Sequence, residues 1–511
     1  LKPVNGDHLK LVFGLKLKQI RQDRGLSLKE VSAKTGLSVS YLSEIESGKK
    51  YPKPEKLIFL SKALDTPFDE LVSMKIGKTL NPLMGLLDSA LVREFPFQLF
   101  GINIRNVVDL ATTSPEKAGA LVRTLTEFTR SYDMKLEDFL FAALRSYQKV
   151  NRNYFAEIEQ AASLFRKRNK LKGKGPELLE WMKAHLAADG MTLDHHTLST
   201  IPELSRFRSV YVESHPPKLL VNPDLMPSQQ AFILGRELGY RDMALRHRPK
   251  TSSWIEAHSF DQVLDNFKAS YFAGALLLPE KTMLKDLKAF FKSKSWTPSS
   301  FMDMLKNYGV TPEMFFYRLS QLIPTHFDIP EIYYLRFSHT SQSNKYTLTK
   351  ELNMSRLNMP SGANLHEHYC RRWLAISQLR EYEARAHTIT QSQEPSAEAF
   401  HIGAQRSHFL DQGLSVFNLS IVRPLSLKRN DHSSMTLGIV ISDDLRKKIQ
   451  FIEDPTISDV DVGETCERCH LTEAGCQERA AEPRIYNQTM EMKQRKTALK
   501  DLLEELGEDP S

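Results

Sequence analysis

Three thiols, Cys466, Cys469 and Cys476, stand within eleven residues of a chain of 511 whose one other cysteine is Cys370. The Cys466-x2-Cys469 spacing lets two thiolates converge on one ion while the chain turns between them, and Cys476 adds a third. Three sulfurs leave such a site one ligand short, so Cys370 is the expected fourth, stapling the C-terminal loop to the domain before it. Zinc and a 4Fe–4S cluster both accept four thiolates, and the spacing does not separate them. His366 and His470, each near a cysteine in sequence, are alternate ligands. Unligated or redox-paired thiols are the remaining reading, with disulfides disfavoured in a reducing compartment.

A second constellation lies in Phe232-Ile-Leu-Gly-Arg-Glu-Leu-Gly-Tyr240. Its frame is H-E-x-x-H, in which two His four apart on one helical face hold zinc and the Glu activates water. Arg236 and Tyr240 occupy the His positions, so Glu237 is left without a metal to serve. No catalytic residue is expected here. Further on, Arg371, Arg372, Arg406, Arg423, Lys428 and Arg429 supply charge for a phosphate-bearing ligand; ordinary surface salt bridging is the plain alternative for each.

Residues 27–50, SLKEVSAKTGLSVSYLSEIESGKK, have the pattern of a DNA reader. Ser27 and Glu30 form a capping box for one helix, Gly36 breaks it, and Ser38 caps the next through Glu46. Gly48 is placed to end that helix in the left-handed conformation. Residues 1–80 hold 15 Lys and Arg against 9 Asp and Glu, a net of +6 in a chain of net +7. Nearly all the excess charge is therefore at this end, as salt-dependent phosphate contact requires.

The remaining elements must position these groups. Helical spacing predicts a first helix over residues 9–23, then helices over 82–95 and 114–130 and one long helix from 136 through 168. Those helices form either a dimer interface or a layer packed within their own chain. A linker at 171–175 and a short helix around Trp181 follow. Ser209–Val212 and residues 217–221 read as a β-hairpin, residues 228–246 and 267–279 as helix, and 299–322 as a helical module with a turn at Gly309, Thr311 and Pro312. From Tyr333 the pattern turns to short strands, expected at 346–348, 373–379, 384–390, 398–402, 414–421 and 437–441, with a helix over 442–451. A sheet with helices against it is the simplest fold for this set. The expected class is multidomain α+β. Its divisions are 8–75 (DNA-binding head), 76–196 (helical linker), 197–335, 336–460 (ligand sensor), 461–490 (cysteine segment) and 491–511 (charged helix or tail). No stretch approaches 18 consecutive apolar residues, and the N-terminus has no hydrophobic signal segment, so a bacterial-type cytoplasm is expected.

Residues 10–72 resemble the lambda-repressor-like, Xre-type helix-turn-helix family. That resemblance implies a recognition helix presenting Ser38, Val39, Ser40, Ser43 and Glu44 to the major groove of double-stranded operator DNA, with Tyr41, Ser47, Lys49 and Lys50 nearer the backbone. Leu28 stands where the family often has a phosphate-contacting Gln. The run FKASYFAGALLLP, 267–279, is similar to the ImmA/IrrE peptidase domain, whose third zinc ligand would fall at Asn266. The whole arrangement resembles the short-chain fatty acyl regulator family, to which mycobacterial regulators of propionate and glyoxylate metabolism belong. Its cysteine block reads CERCHLTEAGCQERAAEP here, with two residues inserted before the last Cys; Arg479 would hydrogen-bond to sulfur. The resemblance implies a homodimeric transcription factor, not an enzyme, with a degenerate zincin-like domain and a GAF-like sensor for a short-chain acyl-CoA. An iron–sulfur redox or iron sensor and a metallopeptidase are the alternatives.

Overall fold

A computed structural model describes residues 6–73, 96–100, 135–171, 173–251, 257–341, 343–359, 367–389, 401–425, 427–471 and 475–506. The expected helices at 82–95 and 114–130 lie outside these residues. The chain divides into two units, residues 1–143 and 144–511.

In the first unit, α1 (Gly6–Asp23), α2 (Leu28–Thr35), α3 (Val39–Glu46), α4 (Pro54–Ala63) and α5 (Phe68–Val72) enclose Phe13, Leu17, Val31, Leu42, Ile45, Leu57 and Leu60. The caps fall where residue types place them. Ser27 accepts from the Glu30 amide while Glu30 accepts from the Ser27 amide; Gly36 ends α2 at φ 69°, and Ser38 accepts from the Tyr41 amide to start α3. Pro54 opens α4 at its first turn, where no amide is needed. Gly14 lets α1 and α3 touch: a Cβ there would lie 2.2 Å from the Ile45 carbonyl oxygen. Buried Glu46 then accepts from Arg21 Nε at 2.6 Å and Nη2 at 2.8 Å, locking α3 to α1.

The second unit corrects the expected single helix over 136–168. It is two helices, α6 (Leu136–Val150) and α7 (Ala156–Arg168), because Arg152 and Asn153 adopt φ 51° between them. Asn153 is fully buried at that corner, accepting from Gln148 at 2.9 Å and donating to Ser320 Oγ at 3.2 Å. After α8 (Gly175–Ala188) come β1 (Thr192–Asp194), α9 (Thr197–Thr200), β2 (Ser209–Val212) and β3 (Lys218–Val221), forming a sheet in the order β1-β3-β2. Then follow α10 (Pro227–Asp242), α11 (Phe260–Leu277), α12 (Glu280–Phe291), α13 (Pro298–Tyr308) and α14 (Pro312–His326).

Both α7 and α8 belong to this body. Phe155 meets Phe267 with ring centres 5.2 Å apart, and Phe165 meets Phe272 at 5.7 Å. Fully buried Arg318 of α14 binds both oxygens of Glu159 of α7, at 2.5 and 2.8 Å, and Glu159 also accepts from Tyr271 of α11 at 2.7 Å. Three helices thus share one buried ion pair.

The C-terminal sheet contains β4 (Ile332–Thr340), β5 (Tyr346–Asn353), β6 (His401–Phe409), β7 (Leu414–Leu425), β8 (Lys428–Val440) and β9 (Ser458–Val462), in the order β5-β4-β8-β7-β6-β9. All pairings are antiparallel except β6 with β9. The strands expected at 373–379 and 384–390 are instead one helix, α15 (Leu374–Ile389), whose Ile376 and Leu379 pack with Phe337, Val416 and Val422. On the opposite face Phe315, Phe316 and Leu319 of α14 pack against Tyr334, Leu419, Met435 and Leu437. The sheet is therefore covered by helix on both faces. The short helix α16 (Asp443–Lys448) and a long α17 (Arg484–Glu505) complete the chain. Among the described residues no helix is long and apolar enough to cross a membrane.

Candidate functional site

In the head, Ser38, Val39, Ser40 and Ser43 are exposed along α3, and Glu44 is half-buried. Lys50 pairs with Glu44 at 2.7 Å and holds its carboxyl below the usual range, a surface pair that must open for Glu44 to accept from a base. The Tyr41 ring lies under Lys56 at 4.1 Å and Lys50 at 5.7 Å, a cationic edge beside the exposed face of α3. Ser47 spends its hydroxyl on the Glu44 carbonyl, while Lys49 is exposed. The helix can thus present short hydroxyls and one apolar side chain to a groove, flanked by lysines.

In the body, the fold brings together the three positions of the lost zinc site. Arg236 donates to Asn266 Oδ1, and the Tyr240 hydroxyl donates to the same oxygen at 3.3 Å. A guanidinium, a phenol and an amide do not fit a zinc ion, because the first is a permanent cation and none is a thiolate, imidazole or carboxylate. Glu237 is buried and occupied on both oxygens, accepting from Arg241 at 3.2 Å and from Arg248. The Arg248 guanidinium lies 3.7 Å over the Tyr211 ring and 4.5 Å over Tyr240. Beside these groups is a cavity of about 30 Å³, room for a water or two. The carboxylate is a brace for cations.

Further basic side chains gather where this domain meets the C-terminal sheet. Arg208 precedes β2, Arg236 is on α10, Arg336 on β4, Lys350 on β5 and Arg423 on β7; Glu313 of α14 is the anion among them. Arg423 binds Glu313 through Nε at 3.0 Å and Nη2 at 2.6 Å, and Arg336 approaches it at 3.7 Å. Burial would push Glu313 up, but Arg423 and Arg336 hold it down at about 2. Burial and then the surrounding guanidiniums push Arg208 down. Lys350 is exposed, and its ammonium rests 3.4 Å over the Tyr317 ring. The Arg236 Nε is buried with no hydrogen-bond acceptor among the described residues. Among the described residues Arg208, Arg336, Lys350 and Arg423 lie near Glu313, and Arg236 lies near Arg208, an excess of basic charge that an anion would balance.

Of the four described side chains among the six basic residues singled out by sequence, only Arg423 lies in this cluster. Arg406 is bound to Asp459 at 2.5 and 2.8 Å and to the carbonyls of Ile452 and Ile457, bracing the β6–β9 edge. Arg371 donates to the Asn344 carbonyl at 2.7 Å and lies 4.5 Å over the Tyr346 ring; Arg372 donates to the Gly475 carbonyl at 3.3 Å. The side chains of Lys428 and Arg429 lie outside the described residues. Arg208, Arg236, Arg336 and Lys350 were missed because they are scattered over 143 positions and no local pattern joins them.

The four cysteines meet in one corner, all buried and none in a disulfide. A short bridge between Tyr369 and Thr465 does this: the Cys466 amide donates to the His368 carbonyl at 2.8 Å and the Cys370 amide to Glu464 at 3.3 Å. Cys469 packs on Gly463, where a Cβ would lie 3.0 Å from its sulfur. The Ala480 amide donates to Cys466 Sγ at 3.4 Å, and amides of Gly463 and Arg372 reach Cys370. Burial, with Cys466 and Cys469 nearby, pushes Cys370 up to about 12, so its thiolate forms only with a cation beside it. Among the described residues no three His, Cys, Asp or Glu side chains stand close enough to hold a metal as they are. The sulfurs would have to draw inward around one. His470 pairs with Asp411 at 2.7 Å, and His366 lies outside the described residues. Arg479 donates to the Leu471 carbonyl rather than to sulfur.

Residues 17–71 match the helix-turn-helix family, and residues 193–320 the IrrE N-terminal-like domain. No curated protein matches the chain significantly. Among solved structures, a Mycobacterium tuberculosis transcriptional regulator is similar at 18% identity over 67% of this chain and 93% of its own, with a TM-score of 0.45. The restriction-modification controller protein C.AhdI from Aeromonas hydrophila shares 31% identity over 12% of this chain and 94% of its own, TM-score 0.12. The clp gene regulator ClgR from C. glutamicum shares 30% over 14% of this chain and 87% of its own, TM-score 0.13. This chain therefore joins an Xre-type helix-turn-helix domain to an IrrE-like domain and a helix-covered antiparallel sheet.

Proposed function

We propose that the protein is a transcriptional regulator of short-chain fatty-acid or carbon metabolism, whose grip on operator DNA responds to an acyl-CoA-like effector. The observation that carries the effector half of this reading is the basic cluster in which Arg208, Arg336, Lys350 and Arg423 gather near Glu313, with Arg236 near Arg208. A coenzyme A moiety brings a pyrophosphate and a further phosphate, charge that complements such a cluster. The site draws on the IrrE-like domain as well as the sensor sheet, wider than the sheet-bound site expected from sequence. The DNA half rests on α3 and the basic head. Two heads in a homodimer would match a two-fold operator, and effector binding would act by favouring one arrangement of the heads.

Loss of the zinc ligands at Arg236, Tyr240 and Asn266 supports a binding role for the IrrE-like domain, with no bond-making chemistry. The cysteine corner supports a second reading, a zinc or 4Fe–4S centre on Cys370, Cys466, Cys469 and Cys476 that clamps the fold or, as a cluster, senses redox state or iron. A thermal-shift screen of the full protein against acetyl-, propionyl- and longer acyl-CoAs beside the free acids tests the effector. A ligand of the folded state raises the midpoint by mass action. The CoA esters should raise it, and Arg208→Ala with Arg336→Ala should abolish the rise. No shift with any CoA species, together with absorbance near 400 nm, would favour the redox sensor.

A further inference from the structure

The helix α17 runs for 22 residues, about 33 Å, with no buried residue along it. It is rooted at its first turn, where the Ile485 and Tyr486 amides donate to the Glu467 carbonyl in the cysteine loop at 3.0 and 3.1 Å. Beyond that turn Met492, Leu499, Leu502 and Leu506 are 53%, 56%, 50% and 70% exposed. Their spacing of seven, three and four places them on one stripe, the seam of a two-helix coil. Its charge pattern is the second observation. From 484 to 496 the helix carries Arg484, Lys493, Arg495 and Lys496 against Glu491; from 497 to 506 it carries Asp501, Glu504 and Glu505 against Lys500. This polarity opposes the helix's own macrodipole, which favours anions at the start and cations at the end. The order therefore does not serve the isolated helix, whose internal pairs Glu491–Arg495 and Lys500–Glu504 are loose at 3.8 and 3.5 Å. It is self-complementary in one arrangement only: a second α17 running the other way sets basic start against acidic end twice over, and a two-fold axis produces just that.

We propose that α17 pairs in antiparallel fashion with α17 of a second copy of this chain, burying the Met492–Leu499–Leu502–Leu506 stripe. A parallel pair would set like charge beside like charge along its whole length. Because the helix is launched from Glu467, between Cys466 and Cys469, the cysteine corner fixes the direction in which the pair leaves the body.

The test is a Gln494→benzoylphenylalanine substitution in the full-length protein, irradiated in an equal mixture of isotopically light and heavy chains. The expected result is mixed light–heavy crosslinks from position 494 to partner residues about 500–506, the stretch opposite it when Met492 faces the partner's end of the stripe. Adding Leu499→Glu and Leu502→Glu should lower their yield about tenfold without changing the melting of the body. Crosslinks from 494 centred on the partner's 491–497 would mean a parallel pair and overturn the proposal. Crosslinks confined to one chain, no crosslinks, or yields unmoved by the two glutamates would overturn it as well.

Discussion

Replacing Glu313 by Gln should make the protein less stable and its effector grip tighter at once. Glu313 is the anion that Arg423 binds through two nitrogens and Arg336 approaches at 3.7 Å. Its carboxyl is held at about 2 against an ordinary 4.5, which by linkage corresponds to about 3 kcal/mol of stability at neutral pH. Breaking a buried pair costs ~3–5 kcal/mol in general, and the partial exposure of Glu313 places this one near the lower end. The pH sign follows from the depressed carboxyl. Its contribution is complete above about pH 4.5 and is lost as pH falls toward 2, so Glu313→Gln should flatten the stability curve in that window. The opposite effect is expected for an anionic ligand. Removing one negative charge, taken as roughly 7 Å from a phosphate at an effective dielectric near 20 and with salt screening, would favour binding by roughly 1 kcal/mol, about fivefold. Urea unfolding at pH 7 and pH 3.5, with calorimetric titration of propionyl-CoA, reads both. Lower stability with unchanged or weaker binding would mean that Glu313 braces the sheet and the cluster is not the anion site. Unchanged stability would refute the pairing itself.

Three further outcomes are expected. Ser43→Ala with Glu44→Ala should relax sequence preference on DNA, whereas Lys49→Ala with Lys50→Ala should weaken binding to all sequences and flatten its salt slope, read by anisotropy on selected and random duplexes. Equal effects of both pairs would misplace the reading helix. Glu159→Ala, which leaves Arg318 buried without its anion, should cost about 3–5 kcal/mol in chemical unfolding of the body; a loss below about 1 kcal/mol would contradict the buried pair. Cys370→Ser should lower zinc or iron content as much as Cys466→Ser does, measured by elemental analysis. Full metal retention with unchanged melting would remove Cys370 from the ligand set.

The head was legible because its signals are local. Ser27, Glu30, Gly36 and Ser38 cap helices through amides within four residues of themselves, so sequence alone carries the geometry. The hairpin of β2 and β3, and the turn at Gly309 and Thr311, were legible for the same reason. The helix α15 was misread because a short apolar run such as Trp373–Leu374–Ala375–Ile376 suits a buried strand as well as a buried helix face. The break between α6 and α7 was signalled by Asn151 and Asn153, residues tolerant of the left-handed region, but the surrounding periodicity masked it. The basic cluster was out of reach. Arg236 read only as a lost zinc ligand, and its meaning changed once β4, β5 and β7 brought Arg336, Lys350 and Arg423 into the same cluster.

If one ligand-responsive chain reads DNA, the full-length protein should select an operator sequence from a random duplex pool, and the affinity of that sequence should depend on propionyl-CoA. The selected sequence should bind at least about 100-fold more tightly than random duplex at moderate salt, and propionyl-CoA should change its affinity about fivefold or more in wild-type protein but not in the Arg208→Ala, Arg336→Ala variant. A pool that yields no preferred sequence, or an operator affinity the same with and without every acyl-CoA tried, would contradict that reading of the chain.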